Sequence, residues 1–198
     1  VSALAREAGV SGGGSISTVA SPTGETARLV AWVRQADLDL QKLWIDWKFL
    51  WQSFGIVTEA GQPDYDAPLE WHWWDVDKAR LDGQPMKQAI VEYELWDGYE
   101  GEQPGKPHHI VIMPNGSLKM LPTPDGIYNL SIPFYRKPVA MNQDTDISVI
   151  PEPFHDAIWM RALLKYAYYE SAPEVVERVK TEYADLVGAL ESHQLPNR

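Results

Sequence analysis

Residues 21–51 read SPTGETARLVAWVRQADLDLQKLWIDWKFLW. Ser21 or Thr23 supplies a helix cap, Pro22 suits an early position, and Glu25 sits at the positive end of the helix dipole. Leu29, Val33, Ala36, Leu40, Leu43, Trp47 and Leu50 then follow at steps of 4, 3, 4, 3, 4 and 3. That spacing predicts one helix from about Thr23 to Trp51, about 43 Å long, with an unbroken apolar seam. Such a helix needs partners along its whole length.

The C-terminal end offers them. Between Pro151 and Glu170, Phe154, Ile158, Ala162, Tyr166 and Tyr169 share one helical face. Ser171-Ala-Pro-Glu174 then has the pattern of a capping box. It opens a last helix in which Val176, Val179, Tyr183, Leu186 and Leu190 repeat at steps of three and four. The short break makes these two helices an antiparallel hairpin.

The middle of the chain is β-rich. QAIVEYELW (88–96) alternates as a strand does, and HHIVIMPNGSLKML (108–121) reads as a hairpin turning at Asn115-Gly116. GIYNLSIPFYRKP (126–138) is a further strand, which Pro133 restricts to an edge or a bulge. The expected fold class is α+β: an antiparallel helical bundle, with one long N-terminal and two C-terminal helices, around a central inserted antiparallel β-sheet. The expected organisation is a flexible lead-in over 1–22, the bundle over 23–52 and 151–192, the β-rich insert over 53–150, and a tail over 193–198. The lead-in contains GVSGGGS (9–15), which no Lys-Ser or Lys-Thr follows, so it is not a phosphate loop.

Composition narrows the function. With 28 acidic residues against 17 Lys and Arg, the net charge is −11. Gripping nucleic acid by its phosphates needs clustered cations, and the one adjacent basic pair is Arg136-Lys137. A surface that DNA passes without sticking fits the same charge. There are no cysteines, which excludes disulfides, thiolate metal sites and a cysteine nucleophile. No apolar run approaches the roughly 20 residues of a membrane helix, and the N-terminus lacks a secretory pattern. The expectation is a soluble protein made in the cytoplasm.

Catalytic chemistry is not visible. His72, His108, His109, His155 and His193 form no zinc-type pair, and His108 and His109, adjacent on a strand, should face opposite ways. Glu92 and Glu94 share a strand face, Asp144 and Asp146 a loop, and neither pair has the contrasting environments that acid–base work needs. Asp37 and Asp39 lie about 200° apart around their helix and form no joint site. No serine-nucleophile, dinucleotide or calcium motif occurs. The sequence predicts no enzyme, no cofactor and no metal.

Nine tryptophans remain to be placed. Trp32, Trp44 and Trp51 fall off the seam of the first helix, so that helix is apolar over more than one face, against its own core or a partner. Residues 70–77, EWHWWDVD, put Trp71, His72, Trp73 and Trp74 together. As a strand, Trp71 and Trp73 share one face and Trp74 takes the other. Contact with another protein, internal packing, a carbohydrate platform and a His72 metal site all remain open readings.

Three stretches carry a resemblance: GETARLVAWVRQADLDLQKLWIDWKFL (24–50), LPTPDGIYNLSIPFYRKP (121–138) and IPEPFHDAIWMRALLKYAYYESAPE (150–174). The first has a Gly-Glu start, a Trp-Val pair, an Ala midway and an Asp-Trp-x-Phe-Leu close. A Pro-x-Pro-Asp-x-x-Tyr strand and a proline-led helix ending in Tyr-Ala-x-Tyr follow. In order and spacing, over roughly residues 15–175, the chain resembles the head-to-tail adaptors of tailed bacteriophages, which include tail accessory factors. That resemblance implies a virion protein whose copies form a ring, expected to be twelvefold, below the portal. The ring would extend the DNA channel and meet the portal protein and tail tube, nozzle or tail-fibre proteins. EWHWWDVD is not part of the resemblance. Trp71, Trp73 and Trp74, with Trp32, Trp44 and Trp51, are the candidate interface residues. Leu195 joins them in the terminal SHQLPNR, a disordered end or an arm. The competing reading is a carbohydrate-binding or peptidoglycan-acting phage protein using the tryptophans and acids.

Overall fold

The computed structural model of the chain describes residues 1–9, 19–86, 90–91, 93–99 and 101–196. Its elements in order are α1 (Ser2–Glu7), α2 (Gly24–Gln41), β1 (Trp51–Val57), β2 (Asp64–Tyr65), β3 (Trp71–Trp74), β4 (Arg80–Leu81), β5 (Gln84–Pro85), β6 (Ile90–Val91), β7 (His109–Ile112), β8 (Leu118–Leu121), β9 (Asn129–Arg136), α3 (His155–Tyr169) and α4 (Pro173–Gln194). The chain is thus α+β. It divides into two compact units, residues 1–49 with 138–198, and residues 50–137.

In the helical unit the long first helix is not formed: α2 ends at Gln41. The seam holds through Leu29, Val33, Ala36 and Leu40, all buried, but Leu43 is 47% exposed. Where the helix ends, Trp47 folds back and donates its Nε1–H to the Leu40 carbonyl at 3.1 Å, which the Leu43 N–H also reaches at 3.3 Å. Trp47 is buried there and stacks on Phe49, ring centres 5.2 Å apart. Its place at seam spacing is therefore not helical continuation. A 3₁₀ turn over Lys48–Leu50 leads into β1.

The expected bundle around a long N-terminal helix is accordingly replaced by a layout centred on α3, against which α1, α2 and α4 each pack. Asp39 of α2 binds Lys165 and Arg161 of α3 at 2.9 and 3.4 Å. The expected capping box at Ser171 does not form either. Ser171 adopts φ +55°, and the Ala172 N–H returns to the Ala167 carbonyl at 2.9 Å. This is the left-handed close of α3, so Ser171 ends one helix where capping would have started the next.

The β unit holds two sheets where one was expected. The first runs β1-β9-β4-β5, with β3 also on β9; the second runs β2-β8-β7-β6. The β6–β7 pair is parallel, against an all-antiparallel expectation. The strand expected over 88–96 is present at Ile90–Val91, after which Tyr93–Tyr99 coil into a 3₁₀ turn. Gln88, Ala89 and Glu92 lie outside the described residues. The turn leaves Leu95 exposed and packs Trp96 on Val91, Val111 and Leu121. The β7–β8 hairpin forms with its turn at Asn115-Gly116, Gly116 carrying φ +88°. His108 precedes β7, and its ring lies 4.5 Å from that of His109, so the two are not on opposite strand faces.

β9 is central, despite Pro133. β1 flanks one side over seven pairs, while β3 and β4 share the other side in succession. Pro133 falls in the gap between them, after Trp74 and before Arg80, where no strand requires its missing N–H. Its carbonyl points into that gap and accepts the Asp75 N–H at 2.9 Å. One face of this sheet, Ile56, Trp74, Leu81, Leu130, Ile132 and Phe134, buries a core with Ile110, Leu118 and Met120 of the second sheet.

Candidate protein interface

The geometry of EWHWWDVD follows from one irregularity. Against β9, Trp71 stands opposite Arg136 and Trp73 opposite Tyr135, so His72 is an extra residue in the ladder. A bulge of this kind resets the alternation of side chains. Trp71 and Trp74 consequently share the inner side, ring centres 6.0 Å apart, and Trp73 faces out. The face assignment expected for a regular strand is corrected: the pair on one side is 71 and 74.

The inner pair fixes the hairpin turn. Trp74 is 2% exposed and packs edge-on to Phe134 at 5.7 Å. Its Nε1–H donates to the Gly116 carbonyl at 2.9 Å. Trp71 lies against Gly116 so closely that a β-carbon there would come within 2.3 Å of the ring. Aromatic area with one polar handle suits tryptophan to position 74; at 71 the ring serves by its area alone, its Nε1–H being buried without a hydrogen-bond partner among the described residues.

The outer face is different. Trp51 and Trp73 both stand opposite Tyr135, on β1 and β3, so three aromatic residues run abreast across the sheet. Strand spacing puts the outer two about 10 Å apart. Trp51 is 41% and Trp73 57% exposed. The Trp51 Nε1–H reaches Asp75 at 3.4 Å, and the same carboxylate holds Lys78 at 2.6 Å. That bond keeps the Lys78 ammonium above its ordinary range. Beside the row an open cleft of 310 Å³ is lined by Trp51, Ser53, Lys78, Arg80 and Pro133. Sequence reading found both tryptophans but missed Tyr135; its signal was the alternation of Ser131, Pro133 and Tyr135 with Leu130, Ile132 and Phe134.

The other candidates belong to the helical unit and are not part of this row. Trp32 packs on Tyr166 and Tyr169 at 5.8 and 5.5 Å. Trp44 donates to the Glu191 carboxylate of α4 at 2.8 Å. Leu195 is half-buried just beyond α4. Tyr168 and Tyr169, at the end of α3, are exposed.

The same unit contains a buried polar cluster that sequence reading passed over. Asp37 and Gln41 are fully buried on α2. Gln41 donates to Asp37 at 2.7 Å and to the Val139 carbonyl at 3.0 Å, and accepts the Val139 N–H at 2.8 Å. Ser148 donates to the other Asp37 oxygen and accepts the Ile150 N–H at 3.1 Å. These bonds bind the segment 138–150 to α2. Burial pushes the Asp37 carboxyl above its usual range, against the opposing hydrogen bonds of Ser148 and Gln41 and the charge of His155. On the solvent side Asp39 moves the other way: burial raises it, but Gln35, Lys165 and Arg161 together hold it below. The two carboxylates thus serve separate partners. Among the described residues no three His, Asp or Glu converge on a possible metal position.

A family model described as SU10 adaptor protein matches residues 3–198. The chain belongs to the SU10 adaptor protein family. This is a phage adaptor family, in agreement with the head-to-tail adaptor resemblance. The matched span extends beyond residues 15–175 at both ends and runs through 70–77. No curated protein matches the chain. Among the described residues no helix of this adaptor is long and apolar enough to cross a membrane.

Proposed function

We propose that this adaptor is a non-enzymatic structural virion protein joining capsid to tail. The observation that carries the reading is the family match over nearly the whole chain. In this reading its copies form a ring, expected to be twelvefold, below the portal, with the portal protein on one side and tail tube, nozzle or tail-fibre proteins on the other. The exposed Trp51 and Trp73, flanking the buried Tyr135, are a contact surface of that assembly, while Trp71 and Trp74 serve internal packing. The excess of acid, 28 against 17, suits a wall along which packaged duplex DNA slides, because like charges repel. The chain is made in the host cytoplasm and ends in the particle.

Quantitative mass spectrometry of purified particles tests this. The expected result is a copy number equal to that of the portal chain. Particles that are complete without this chain would refute it.

A further inference from the structure

β1 is an outer strand, and among the described residues β9 is its one strand neighbour. The Thr58 N–H donates to the Tyr128 carbonyl at 2.9 Å, directly across the ladder, which sets the phase of the pair. Gln52, Phe54 and Ile56 therefore exchange hydrogen bonds with β9. Trp51, Ser53, Gly55 and Val57 direct their backbone N–H and C=O groups away from it.

Natural sheets blunt such an edge with a charged side chain, a proline or a bulge. Here the strand reads WQSFGIV, without charge or proline, and its register with β9 runs unshifted through seven pairs. Trp51, Ser53, Gly55 and Val57 are all exposed, and a β-carbon at Gly55 would meet nothing within 4 Å.

We propose that the open edge of β1 docks an extended segment of a different virion protein, which joins the sheet as a further strand. The proposal rests on the virion reading above. Among the described residues the other edge strands do not match this edge: β2 and β5 have two residues each, and β3 has four and a bulge. Pairing β1 with β1 of a second copy is two-fold and closes a dimer, which a larger ring does not use. The segment that fits is extended over about seven residues and free of proline where it faces β1. Apolar or aromatic side chains at alternate positions would prolong the row Trp73–Tyr135–Trp51.

Hydrogen exchange by mass spectrometry, on the free chain and on purified particles, reads the edge directly. In particles the amides of Ser53, Gly55 and Val57 should slow at least tenfold, while Phe54 and Ile56 are slow in both samples. Because the chain has no cysteine, Ser53→Cys carries a single photo-crosslinker, and in particles it should capture a protein other than this chain. Equal exchange in both samples, with the chain present in particles, overturns the proposal and leaves the virion reading intact. Capture of a second copy, or protection that grows with concentration in the free chain, overturns the choice of partner. Absence of the chain from particles overturns both readings.

Discussion

At Gly116 two demands meet on one residue: φ +88° and a tryptophan ring where a β-carbon would stand. Gly116→Ala should therefore cost about 2–5 kcal/mol, combining roughly 1–2 for left-handed backbone and about 1–3 for overpacking. Urea denaturation measures it, and a loss below about 1 kcal/mol would show that Trp71 yields easily. The turn was legible from Asn-Gly, but the ring above it was not, because sequence does not say which distant side chain covers a glycine. Asp37 gives a second prediction at this scale. Its carboxyl is raised above 3.8 when folded, so its protonated form stabilises the fold fully below that pH, and the contribution is lost as pH rises through the raised value. Thermal denaturation should show Asp37→Asn gaining on the parent as pH rises from about 4 towards 7. For Asp39, held low, Asp39→Asn should lose ground on the parent as pH rises from the lowered value to 3.8 and then run level with it, because the carboxylate's contribution is present above 3.8 and lost in acid.

Elements were legible where one period ran into a single environment. The α2 seam to Leu40, the hairpin of β7 and β8, and the strand at 129–136 follow from spacing and turn chemistry alone. The failures have a common physical cause: a side chain or a neighbour overrode local periodicity. Trp47 caps α2 from seven residues ahead, keeping the 3–4 spacing without the helix. His72 shifts the phase of β3 by one residue, exchanging the faces that Trp71 and Trp73 were expected to share. Pro133 sits mid-sheet because two strands divide the edge opposite it. Ser171, read as a cap, occupies the left-handed position that glycine fills most easily. Ser171→Gly should accordingly stabilise the helical unit by about 0.5–1 kcal/mol, as the relieved backbone strain exceeds the added chain entropy. An unchanged or lowered denaturation midpoint would mean that Ser171 makes a contribution which outweighs its backbone.

For the whole molecule, order and spacing of short stretches carried further than any single motif. They placed the chain among phage adaptors before the fold was described, and the family match agrees. The long-helix reading ran from about Thr23 to Trp51, across residue 49, where the first segment of one compact unit ends. Of the candidate interface, Trp51 and Trp73 could be named, but their meeting across Tyr135 depends on strand order, which periodicity does not contain. The most direct test of the adaptor account is particle mass. Mass photometry of the purified portal ring, alone and mixed with this chain, should show a gain of about one 22.4 kDa chain per portal chain. A portal of unchanged mass beside a chain that stays monomeric would contradict the account.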